Sequence, residues 1–126
     1  GEGGLDGIST TLGTLKAGTT YNGVATFANT IDGEDITEEI AEEDEEHQIF
    51  FQTTVAGLTF AYTDQDPMGN PIGLTTTATT DAAGTGTITI TLRHEPAKGA
   101  SGVSDGDITN AGGETDIEVT FDVTVE

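Results

Sequence analysis

The sequence predicts an all-β fold: an antiparallel immunoglobulin-like β-sandwich of six or seven strands with one short acidic helix, filling a single domain over residues 1–126. Three observations predict it. Apolar residues recur with period two in several segments, the pattern of a half-buried strand. Segments rich in Gly, Asp, Asn and Pro ("LKAGTTY", "DQDPMGNPIG" and "DAAGTG") separate those runs and supply the turns. The length suits one hydrophobic core and not two.

Taken in order, "TTYNGVATFAN" sets Tyr21, Ala25 and Phe27 on one face. Asp35 to about Asp44 is the helix, with Asp35 as N-cap and Glu38 completing a capping-box-like pair. Ile36 and Ile40 form its narrow apolar stripe. Asp44, Glu45 and Glu46 crowd its negative C-terminal end and should keep it to two or three turns. "HQIFFQTTV" follows as a central strand, with adjacent Phe50 and Phe51 implying burial on both faces. "GLTFAYTD" alternates Leu58, Phe60 and Tyr62, whereas "GLTTTATTD" has only Leu74 and Ala78 as anchors and reads as an edge strand. "TGTITITLRHE" points Ile88, Ile90 and Leu92 inward, and His94 falls in phase with them. "KGASGVSDGDITNAGGET" is a long polar loop before the clearest strand, "TDIEVTFDVTV". There Ile117, Val119, Phe121, Val123 and Val125 face one way, and Asp116, Glu118, Thr120, Asp122 and Thr124 the other.

Charge narrows the function classes. Twenty-three Asp and Glu stand against Lys16, Arg93 and Lys98, a formal net charge of −20. With no basic footprint, nucleic-acid and anionic-membrane partners are disfavoured, while cations are attracted. A composition 33% hydrophobic and arranged in alternating runs is not that of a disordered acidic chain. Threonine outnumbers even the 18 glycines, a bias of secreted and surface β proteins. The absence of cysteine removes disulfides, thiolate nucleophiles and Cys-based zinc sites. No apolar run is long enough for a transmembrane helix, and the "GEGGLDG" start reads as mature or trimmed.

No Ser lies in a nucleophile-elbow pattern and neither histidine has a sequence-adjacent partner, so no enzyme is expected. The metal chemistry is richer. In "DQDPMGNPIG", Asp64, Asp66 and Asn70 are hard oxygen donors and Gly69 permits a tight turn, as a Ca²⁺ loop needs. A hairpin turn with solvated acids explains the same residues equally well. "SDGDITNAGGETD" offers Asp105, Asp107, Asn110 and Glu114 on the same terms. Oxygen donors without cysteine favour Ca²⁺ as the ion. His47 beside Glu46 is a second, transition-metal alternative, set against a purely structural histidine at a strand entrance.

The blocks "DITEEIAEEDEEHQIFF", "DPMGNPIGLTTTATT", "TITLRHEPAKGASG" and "DGDITNAGGETDIEVTFDVTV" together resemble a family of small acidic exported proteins of Bacteroidota. The family is often labelled with the type 1 periplasmic-binding-fold superfamily and read as cell-surface lipoproteins. The resemblance runs from Leu15 to Val125 and implies export and a β-sandwich, with no catalytic residues to carry over. Members have a lipidated cysteine, an acidic linker and a further strand ahead of the "GEGG" turn, and the expectation here is a sandwich without that first strand. The expected function is therefore a non-catalytic extracellular structural subunit. It would self-assemble as a homo-oligomer or polymer by strand complementation, with Ca²⁺ screening its acids. The alternative is a monomeric lipoprotein-type binding module at the bacterial cell surface, capturing a metal ion or small nutrient for an outer-membrane receptor.

Overall fold

The computed structural model describes residues 14–24, 28–29 and 34–126. Strands dominate, in the order β1 (Thr20–Val24), β2 (Ala28–Asn29), β3 (Glu34–Asp35), β4 (His47–Thr53), β5 (Thr59–Tyr62), β6 (Thr75–Thr79), β7 (Gly84–His94) and β8 (Glu114–Val125). Helix α1 (Ile36–Glu42) lies between β3 and β4. Two antiparallel three-stranded sheets, β1-β6-β5 and β4-β7-β8, carry the fold, and β2 pairs with β3 as a short ribbon. Ala25, Phe27 and the "GEGGLDG" start lie outside the described residues, as do the side chains of Asp35 and Ile36. Among the described residues no helix is long and apolar enough to cross a membrane.

The alternation in β7 and β8 explains how the sheets meet. Register places Ile49, Leu92 and Ile117 in one row across β4, β7 and β8, and Phe51, Ile90 and Val119 in the next. Side chains of one row face the same side of a pleated sheet, so these rows form a continuous apolar face. Ile49, Leu92 and Ile117 pack with Ile40 of α1 and Ile72. Farther along, Ile88, Val123 and Val125 join Val55 and Leu58, with Phe60 and Ala78 of the other sheet packed against them. The two sheets thus stack in a sandwich-like arrangement. Phe51 and Phe60 meet across it with ring centroids 5.4 Å apart.

Two strand placements differ from those read in the sequence. The threonine-rich β6 is the middle strand of its sheet, between β1 and β5, and not an edge. Its few apolar anchors are offset by hydroxyl contacts: Thr75 Oγ1 accepts from Thr63 Oγ1 at 2.8 Å, and Thr79 Oγ1 lies 3.3 Å from Thr20 Oγ1. Conversely β4 is an edge strand, with β7 in the centre. Phe50 and Phe51 are nevertheless covered on both faces, because the polar loop before β8 folds back over the outer side of the sheet. Val103 and Ala111 of that loop bury Phe50 completely, and Gln48 Nε2 donates to Val103 O at 2.7 Å.

Helix α1 ends at Glu42, and a single 3₁₀ turn (Asp44–Glu46) leads into β4. No basic residue stands in the last turn of α1 itself. In the same sheet β7 and β8 pair from Gly84↔Val125 to His94↔Glu114, with a register shift after Leu92, near the end at which β4 begins. Leu92 faces Ile117 while Arg93 faces Thr115, which makes Asp116 the extra residue of a β-bulge. Gly113 enables the turn into β8: its φ is 75°, and a Cβ there would lie 2.5 Å from the His94 carbonyl oxygen.

Candidate metal centre and the two acidic loops

In the loop after β5 the aspartates are fully engaged by the protein itself. Asp64 Oδ1 accepts from the backbone N–H of Ile72 at 3.3 Å and Gly73 at 2.8 Å. Its Oδ2 accepts from Leu74 at 2.8 Å and Thr75 at 3.1 Å. One carboxylate thereby closes the loop onto the start of β6. Asp66 Oδ1 accepts from the N–H groups of Met68 and Asn70, at 2.9 and 3.0 Å. Asp66 Oδ2 accepts from Lys98 Nζ at 2.8 Å, both side chains being at least 95% buried. The same ammonium donates to the carbonyls of Asp44 at 2.7 Å and Pro71 at 3.1 Å, which satisfies its three hydrogens. Lys98 thus supplies a positive charge directly at the Asp66 carboxylate.

Burial works to raise the Asp66 pKa. The hydrogen bond and charge of Lys98 and the N–H groups of Asn70 and Met68 outweigh it and hold the carboxyl below the usual carboxylate range. Asn70 does not turn its side chain to Asp66; its Oδ1 accepts from Ser104 Oγ at 3.3 Å.

The second acidic loop also divides its residues. Asp107 caps a 3₁₀ turn (Ile108–Asn110) by accepting from Thr109 N at 2.9 Å, and its hydrogen bonds from Thr109 hold its carboxyl low. Asn110 Nδ2 donates to Ser101 O, and Glu114 begins β8. Asp105 is exposed at the rim of an open cleft of about 240 Å³. Phe51, Phe60 and Tyr62 line that cleft. Burial, with the Asp64 charge adding and the Gln48 hydrogen bond opposing, pushes the Tyr62 phenol up to about 12. The phenol donates to Ile49 O at 2.6 Å.

The histidines, by contrast, are brought together. His47 opens β4 and His94 closes β7; they are direct cross-strand partners, with ring centroids 5.0 Å apart and planes 24° from parallel. Both lie in phase with the inward row of Ile49 and Leu92, at the end of the sandwich. Glu43, just before the 3₁₀ turn, completes a set in which one ligand atom from each of Glu43, His47 and His94 lies within 4.8 Å of the others. Glu46 is exposed and is not a member of this set.

Hydrogen bonding orients the His47 ring. Its Nδ1 lies 3.0 Å from the Glu43 carbonyl oxygen, and a carbonyl only accepts. A proton on Nδ1 satisfies this contact, and in the neutral tautomer that carries it Nε2 offers the lone pair. A ring nitrogen that donates to a backbone carbonyl while the other stays bare is the usual arrangement behind a metal ligand. Asp116 Oδ2 stands 3.9 Å from that Nε2.

Sequence reasoning singled out His47 but did not find Glu43, His94 as its partner, or Asp116. The signal for the first pair was the shared inward phase of His47 and His94. Comparison with protein-family models, curated proteins and solved structures finds no match to this chain.

Proposed function

We propose that the protein is a non-catalytic binding module, exported to the cell surface, that captures a divalent transition-metal ion through Glu43, His47 and His94. The observation that carries this reading is the cross-strand imidazole pair with a carboxylate beside it. Two nitrogens and an oxygen suit Zn²⁺ or its neighbours in the first transition row, whereas Ca²⁺ and Mg²⁺ take oxygen donors. The formal charge of −20 raises the local concentration of any cation. The resemblance to acidic exported proteins of Bacteroidota and the threonine-rich composition support an extracellular or cell-surface location and, with it, an immunoglobulin-like form of the sandwich. A receptor in the outer membrane is the partner this reading supplies. Calorimetric titration tests it. The chain should bind one equivalent of Zn²⁺ more tightly than about 10 μM, a free energy of roughly −7 kcal/mol. His94→Ala should weaken that by about tenfold or more. An isotherm with no saturable site in the wild-type chain would reject the reading.

A second reading, a self-assembling structural subunit, is favoured by one observation. Residues Leu15 and Ala17 bond to the C-terminal end of β8 and the residue after it, through Leu15 N to Thr124 O, Glu126 N to Leu15 O and Ala17 N to Glu126 O. Among the described residues no strand pairs with the remaining outer edge of this 12-residue strand, where a strand of a second copy would add. The exposed acids Glu118 and Asp122 on the outward face of β8 oppose such pairing unless a cation screens them. Sedimentation at high concentration should then show association that grows with Ca²⁺. Uniform monomers with and without the ion would remove this reading.

A further inference from the structure

We infer that Asp116 is a fourth protein ligand, making the centre a closed tetrahedral site of two imidazoles and two carboxylates for a Zn²⁺-type ion. The inference rests on the metal-binding reading above and extends it to coordination number and ion class. Asp116 belongs to the outward row of β8 by simple alternation, with Glu118, Thr120 and Asp122. The bulge between Leu92 and Arg93 breaks that alternation at this residue, and bulges commonly re-aim a side chain beside a functional site. The result is visible in the burial. Glu118 and Asp122 are exposed, whereas the Asp116 side chain is 10% accessible and its Oδ2 reaches within 3.9 Å of His47 Nε2.

A tetrahedron requires the four ligand atoms to draw together. Zn–N and Zn–O bonds of about 2.0–2.1 Å set ligand atoms about 3.3 Å apart. One ligand atom from each of Glu43, His47 and His94 lies within 4.8 Å of the others, and Asp116 Oδ2 stands 3.9 Å from His47 Nε2 but outside that set of three, so the Asp116 side chain has to swing toward Glu43 and His94 when the ion binds. Charge points the same way. Two carboxylates and two neutral imidazoles neutralise a divalent ion, and a centre whose histidine is 95% buried favours a neutral total. The four ligands come from the approach to β4 and from the ends of β4, β7 and β8. A bound ion would therefore clasp three strand ends in addition to their ladder and side-chain packing.

Cobalt titration of the full chain tests the inference, because four-coordinate Co²⁺ absorbs visible light far more strongly than six-coordinate Co²⁺. The wild-type protein should give the strong four-coordinate spectrum with one equivalent, and a large excess of Ca²⁺ should leave it unchanged. Asp116→Asn, near-isosteric and checked for folding by circular dichroism, should bind about tenfold or more weakly with an altered spectrum, and Asp116→Glu should recover part of both. If Asp116→Asn binds with unchanged affinity and spectrum, Asp116 is not a ligand. Weakened binding with an unchanged spectrum makes it a positioning residue and likewise overturns the assignment. A weak six-coordinate spectrum from the wild-type chain overturns the closed site without reference to any variant. Absence of Co²⁺ and Zn²⁺ binding in the wild-type chain defeats the parent reading itself, an outcome distinct from loss at Asp116 alone.

Discussion

Replacing Lys98 with methionine is expected to lower unfolding stability by about 3–5 kcal/mol, the effect of leaving a buried carboxylate without its partner. Lys98 Nζ holds Asp66 Oδ2 and the carbonyls of Asp44 and Pro71, so its removal uncouples three segments at once: the turn before β4, the loop after β5 and the loop before β8. The double variant Lys98→Met with Asp66→Asn should recover part of the loss, because a neutral amide needs no counter-charge and keeps an acceptor for Met68 and Asn70. Denaturant titration in chelator and again in Ca²⁺ should give the same loss, since the cation of this loop is covalently attached to the chain. The pH dependence has a definite sign. The folded-state pKa of Asp66 is depressed, so its contribution is present above the ordinary carboxylate pKa of about 3.9 and disappears as pH falls through the lower folded value. Acid should therefore destabilise the wild-type chain more than the double variant.

Asp64→Ala is the second large effect, on the order of 3 kcal/mol. Four consecutive N–H groups, from Ile72 to Thr75, converge on the two oxygens of one carboxylate. Gly73 leaves no room for repair there: its φ is 102°, and a Cβ would come 2.8 Å from Ile49 Cβ. Asp64→Asn should be nearly as damaging as alanine, because its amide nitrogen would face either the Ile72–Gly73 pair or the Leu74–Thr75 pair of donors. The midpoint of denaturation should shift without a change in slope. If Asp64→Asn proved as stable as the wild-type chain, the clamp would have no energetic weight.

These loops show where sequence reading stops. Period-two alternation placed β7 and β8 and their inward rows correctly, and adjacent Phe50 and Phe51 correctly implied two covered faces. Strand order was less accessible. A threonine-rich segment has the composition of an edge, and only the ladders with β1 and β5, reinforced by threonine hydroxyl contacts, show β6 as a middle strand. The loop before β8 looked solvated because its apolar residues are sparse, yet Val103 and Ala111 are fully buried against Phe50. An Asp-x-Asp turn has the same composition whether it holds an ion, faces water or accepts from a distant lysine. The one fact that separates these, Lys98 lying 32 positions after Asp66, belongs to the tertiary fold.

The candidate centre follows the same logic. His47 was conspicuous beside the acidic run, and His94 shared its inward phase, but only the β4–β7 register sets them opposite each other. Glu43 enters through the turn that follows α1, and Asp116 through a one-residue bulge that no local pattern marks. The acids nearest His47 in sequence, Glu45 and Glu46, are exposed.

The most direct test of metal capture is to follow the two imidazole side chains by ¹H–¹⁵N resonance spectroscopy while Zn²⁺ is added. With one equivalent, a nitrogen of each ring should shift to the metal-bound position together. Nδ1 of His47 should remain protonated toward the Glu43 carbonyl while its Nε2 carries the ion. Imidazole resonances that stay in place through several equivalents of Zn²⁺ would contradict the account.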